Sequence, residues 1–92
     1  MMKKFFTKDG RNFVVGFDSE KKEIFVGTAG MIFPIAAQVI SHELMAPLNW
    51  KSKGTVMDLV DVEGLICPAV GYKIPFWVST KRAEAMVASL FD

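Results

Sequence analysis

The side chains that could do acid–base or nucleophilic chemistry are few. The chain has one histidine, His42, and one cysteine, Cys67. Nucleophilic catalysis would need Cys67 or a serine beside a base, and His42 is the only imidazole able to serve. No flanking sequence of a thiol-dependent family accompanies Cys67, which reads as a small buried apolar residue. Zinc takes several Cys or His ligands, and one of each makes no site without a second subunit. Asp58, Asp61 and Glu63 form an acidic cluster. On a strand Asp58 faces away from the other two, so they do not converge on one ion. On a helix Asp58 and Asp61 would share a side, and oxygen coordination of Mg²⁺ or Ca²⁺ would become conceivable. The strand reading makes them solvated charges that discourage edge pairing. Gly10, Gly27 and Gly30 fall outside any phosphate-loop spacing. The expectation is therefore a non-catalytic protein with no metal and no cofactor.

Glu43, next to His42, is the one carboxylate whose placement could matter. At 100° per residue it projects onto the apolar side of its helix, between Val39 and Ile40. There it is either exposed in the last turn, which is the expectation, or buried with a raised pKa. In the second case Glu43 and His42 would mark a small enzyme or ligand pocket.

Composition gives a stronger signal than any motif. Among 92 residues 51% are apolar, the mean hydropathy is +0.29, and there are eight Phe, two Trp and one Tyr. So short a chain makes one domain, residues 1–92, with a modest core. The surplus must appear as an exposed apolar patch or a subunit interface. Adjacent Phe5 and Phe6 point to opposite faces of a strand, and so do Phe76 and Trp77. The expected contact residues are Phe6, Phe25, Trp50, Tyr72 and Trp77, aromatic anchors of the kind protein interfaces use. The expected function is that of a small regulatory or inhibitory module that binds another protein, as phage-encoded inhibitors do, and that forms a homo-oligomer.

Basic residues support the alternative. Residues 1–22 carry six Lys or Arg against three acids, with Phe5 and Phe6 interleaved. Lysine beside aromatic is what single-stranded nucleic acid binding uses. The residues for that reading are Lys3, Lys4, Arg11, Lys51 and Lys53, with Trp50 between Asn49 and Lys51. A net charge of +1 supplies no global field for nucleic acid. Lys81 and Arg82 are read as solvated, the alternative being contact with an acidic partner or a phosphate. The two early lysines have no apolar run behind them, so no signal peptide is expected. A lone cysteine agrees with a reducing compartment, and no stretch is long enough to span a bilayer, so the expected location is the cytoplasm.

The elements that position these residues form an α+β pattern. Residues 3–7, 12–17 and 23–26 read as a β-meander, with Asp9-Gly10 supplying the first hairpin turn. Residues 33–47 read as a helix entered at Pro34 and ended by Pro47, burying Ile35, Ala36, Val39 and Ile40. Residues 55–62 have both capping-box and strand character, and valine content favours a strand. A short segment stops at Pro68, and a further strand runs over residues 70–78, with Pro75 at an edge or bulge. Ser79 or Thr80 caps a C-terminal amphipathic helix whose stripe is Ala83, Met86, Val87, Leu90 and Phe91. The predicted architecture is a single antiparallel sheet of the meander and two or three more strands, with the helices packed on it.

Overall fold

The computed structural model describes the backbone of residues 2–29, 33–62 and 65–92, with side chains over residues 3–29, 33–53 and 67–92. β1 (Met2–Lys8) and β2 (Arg11–Asp18) pair through a two-residue turn in which Asp9 and Gly10 have φ of 53° and 76°. Positive φ at both positions matches the twist of the flanking strands. A polar turn then leads to β3 (Glu23–Thr28). The Asp18 carboxylate accepts from the backbone N–H groups of Glu20 and Lys21 at 3.2 Å each and holds that turn closed.

α1 (Pro34–Met45) follows, with Pro34 in its first turn. A short 3-10 turn (Ala46–Leu48) ends at Asn49, which takes φ 52°. β4 (Ser52–Val62) and β5 (Leu65–Lys73) form a hairpin, and α2 (Thr80–Ser89) closes the chain. The sheet order is β1-β2-β3-β5-β4, and every neighbouring pair is antiparallel. The fold is α+β: one five-stranded antiparallel sheet, begun by a meander, with two helices.

Strand parity sorts the core. Phe13, Val15 and Phe17 share a face with Ile24 and Val26 of β3 and with Val70 and Tyr72 of β5. All seven join one buried cluster with Met45 of α1 and Ala83 and Val87 of α2. Both helices therefore pack on the same sheet face. α1 lies over β3 and β5. α2 lies over β1 and β2, where Phe91 stacks on Phe6 with centroids 4.2 Å apart and meets the edge of Phe13. Lys4 pairs with Glu84, and the Lys8 ammonium donates to the Leu90 carbonyl, so β1 is tied to α2 by charge as well as by rings.

Three expectations need correcting. The first concerns α1, which buries Ala37, Ser41 and Met45, not the side carrying Ile35, Ala36 and Val39. Ile35 is 80% exposed. Small residues at i and i+4 let the helix backbone approach β3, and Ser41 Oγ donates to the Val26 carbonyl at 3.1 Å in that contact. Close approach outweighs the larger aliphatic side chains one turn-face away.

The second concerns β5, which runs straight through Pro68. An added Cβ on Gly27 would meet the Pro68 carbonyl oxygen at 2.8 Å, so that oxygen points toward β3. The N and O of one strand residue point the same way, so the missing N–H also faces β3. Pairing between β3 and β5 ends at Gly27 and Ala69, one residue short of Pro68, and no ladder bond is lost.

The third is the segment expected as strand 70–78, which leaves the sheet after Lys73. Ile74 and Val78 enter the core, while Phe76, which strand alternation over 70–78 would put on their face, is 86% exposed. The acidic cluster Asp58, Asp61 and Glu63 lies outside the residues whose side chains are described.

Candidate functional site

Residues 75–78 form a tight turn. The Val78 N–H donates to the Pro75 carbonyl at 3.0 Å, which leaves Phe76 and Trp77 as its two central residues. Side chains there project away from the chain's path, and Trp77 is 72% exposed. The two rings meet edge to face, with centroids 5.0 Å apart and planes at 89°. Ser79 then starts α2, its Oγ accepting from the Arg82 N–H at 3.2 Å.

Lys22 fixes this turn from below. It sits in the left-handed region at φ 51° in the turn between β2 and β3. Its ammonium donates to the carbonyls of Pro75, Phe76 and Val78 at 3.4, 3.2 and 2.7 Å. An ammonium has three N–H donors, and here each has an acceptor. The Lys22 carbonyl in turn accepts from the Ile74 N–H at 2.9 Å. The rings are thus carried on a turn whose backbone oxygens are drawn inward.

Beside the turn lies an open groove of about 720 Å³ between residues 48–51, residues 74–78 and one side of α2. Leu48, Ile74, Val78 and Met86 supply aliphatic lining, and Trp50, Phe76 and Trp77 supply rings. Lys51, Lys73 and Arg82 supply positive charge, and among the described residues no carboxylate lines the groove. The Lys73 N–H donates to the Lys51 carbonyl at 2.9 Å, holding the two sides together. Among the described residues the ion pairs are Lys4 with Glu84, Arg11 with Asp9 at 3.7 Å and Lys53 with Glu23 at 2.8 Å, and the three groove cations are in none of them.

Of the five expected contact residues, only Trp77 is exposed. Trp50 is half-buried against the core cluster and turns its remaining surface to the groove. Phe25 is half-buried on the helix-free face, beneath the Lys53 ammonium at 6.0 Å. Phe6 is a correction. Its register with Phe13 puts it on the helix-bearing face, and Phe5 is the outward member of that pair. Tyr72 is a second correction: it is 3% exposed and part of the core. Its hydroxyl and His42 Nδ1 lie 2.7 Å apart. Burial pushes the phenol up to about 12, so it keeps its proton at neutral pH, and the tautomer of His42 sets which of the two groups donates.

The other candidates disperse. Glu43 is exposed, as the last-turn reading expects, while His42 turns inward to Tyr72, so the two make no common pocket. Lys3 is on β1 and Lys53 on β4, the two outermost strands, four spacings or about 19 Å apart. Lys4 and Arg11 are engaged with Glu84 and Asp9. Only Lys51 of the five lies in the groove. Lys22, Lys73 and Phe76 were missed as site residues, since no local pattern links them.

A second apolar surface lies on the outer side of α1, where Phe33, Ile35 and Val39 are exposed. Among the described residues no group of three or more His, Cys, Asp or Glu side chains comes together to hold a metal ion. No described helix is long and apolar enough to cross a membrane. Compared with protein-family models, curated proteins and solved structures, the chain matches none.

Proposed function

We propose that this protein acts without catalysis, as a small regulatory or inhibitory module that binds another protein through exposed rings and aliphatic side chains. The observation that carries the reading is the Phe76–Trp77 pair, two large apolar side chains held in solvent by a pinned turn. A flexible loop would let such rings fold back onto the surface. A turn fixed by three carbonyl contacts holds them out, and fixed aromatics lose little entropy on binding. The outer side of α1 adds a second apolar area suited to self-association, because Phe33, Ile35 and Val39 carry no charge to select a charged partner.

The test is site-specific photo-cross-linking in the source cell. A photoreactive side chain is placed at Trp77, at Ile35 and, as a polar control, at Glu20. The expected result is a discrete protein adduct at position 77, and an adduct with a partner or a second copy at 35, with neither at 20. Sedimentation at two concentrations reads self-association in parallel. Equal labelling at all three positions, together with a strict monomer, removes the proposal.

A further inference from the structure

We infer that the groove beside Trp77 takes an extended acidic segment of a partner protein, with carboxylates flanking one bulky apolar side chain. The inference rests on the protein-binding reading above and says which surface is used and what chemistry fits it. Three facts select the occupant. Among the described residues, Lys51, Lys73 and Arg82 line the groove with no carboxylate beside them, and none of the three is in an ion pair. Three like charges around one concavity repel one another, and an anionic guest relieves that repulsion. The lining between them is apolar: Leu48, Ile74, Val78 and Met86, walled by Trp50 and Trp77. A purely charged guest would leave that lining wet, so the guest carries an apolar anchor as well.

The ring geometry separates a peptide from nucleic acid. Successive bases stack on faces that are roughly parallel. Phe76 and Trp77 stand at 89° to each other, so they cannot both serve as platforms for neighbouring bases. An edge-to-face corner suits a single bulky side chain. The net charge of +1 also supplies no global field to steer a phosphate chain to the surface.

The experiment selects a displayed random-peptide library against the full-length chain. Synthetic copies of the enriched peptides are then measured by fluorescence anisotropy, with oligothymidine as the nucleic-acid probe. Enriched sequences are expected to place Asp or Glu on both sides of a Leu, Phe or Trp. Trp77→Ala should weaken their binding about tenfold or more. Arg82→Glu should weaken it strongly at low salt and less at high salt. Glu20→Ala, at the polar control position, should leave it unchanged, and Ile35→Glu reports any contact made through α1 instead. Circular dichroism of each variant separates loss of binding from loss of fold, and both groove positions are exposed.

Enriched peptides that lack acids, or that bind equally well to both groove variants, overturn the inference. Binding lost only on Ile35→Glu moves the contact to α1: the groove inference falls and the protein-binding reading stands. Failure to enrich any peptide overturns the inference, and the cross-linking above then decides the broader reading separately. Oligothymidine binding that depends on both Trp77 and Arg82 overturns both. So does an oligomer that Trp77→Ala dissociates overturn the inference, since a second copy is then the occupant.

Discussion

The Lys22 ammonium lies 2.7 Å from the Val78 carbonyl oxygen, so the turn between β2 and β3 holds the distant turn that displays Phe76 and Trp77. The two residues are 56 positions apart in the chain. Removing the ammonium should loosen the turn without touching either ring. Lys22→Met leaves three carbonyls without their donor and should cost about 1 to 2 kcal/mol, discounted for partial exposure. Lys22→Gly loses the same contacts but relaxes the positive φ, so its loss should be smaller. In a Trp50→Phe background both variants should make Trp77 fluorescence more depolarised and more easily quenched. Unchanged stability and quenching in Lys22→Met would show that the turn is held by something else.

Tyr72 predicts a pH dependence at the alkaline end. Burial raises its pKa from 10.0 to about 12, so between those values the unfolded chain releases a proton that the folded chain keeps. Stability is therefore complete below about pH 10 and falls as pH rises toward 12. Tyr72 is the chain's only tyrosine, so phenolate absorbance reports it alone. The folded protein should titrate late and the denatured protein near the ordinary value. Tyr72→Phe should remove this part of the pH dependence. A native phenolate titration centred at the ordinary tyrosine value would contradict the burial of the Tyr72 hydroxyl.

Local rules carried the reading of some elements and failed at others for physical reasons. Asp9-Gly10 was legible because two adjacent residues must both take positive φ, and few dipeptides do so readily. The α2 stripe was legible because Ala83, Met86, Val87, Leu90 and Phe91 leave that helix one apolar side. α1 is apolar nearly all round, so periodicity could not choose its buried face. What chose it was the clearance between helix and sheet, which admits Ala37 and Ser41 and excludes Ile35. For Phe5 and Phe6, alternation said that they point opposite ways but not which way is in. That depends on pairing with Phe13 and on where Phe91 falls. The groove joins residues 48–51 to residues 73–86, two stretches separated by β4 and β5, and Trp50, Lys51, Trp77 and Arg82 were the parts of it visible as local charge or aromatic signals.

Ser41 tests the close-approach account of α1. Its side chain is fully buried between α1 and β3 and donates to the Val26 carbonyl. Ser41→Ala keeps the spacing and loses one hydrogen bond, at about 1 kcal/mol. Ser41→Leu forces the helix off the sheet and should cost about 1 to 3 kcal/mol or more. If the apolar outer side were the true buried one, Ser41→Leu would instead be tolerated and Ile35→Glu would unfold the protein. Thermal melts of the three variants decide between these outcomes.

Thr28 offers a change in the opposite direction. It is 2% exposed at the end of β3, opposite Phe13, and its hydroxyl has no hydrogen-bond partner among the described residues. A buried hydroxyl without a partner forfeits its hydration and gains nothing in return. Valine has nearly the same shape and the same preference for strand geometry. Thr28→Val should therefore stabilise the protein by about 1 kcal/mol, seen as a higher denaturation midpoint at unchanged slope. Thr28→Ala should destabilise, because it removes the methyl as well as the hydroxyl and leaves a cavity. Comparing the two isolates the hydroxyl from the packing. A loss of stability in Thr28→Val would mean that the oxygen is solvated by a bound water at the end of β3, which makes it a structural acceptor there and not an orphan.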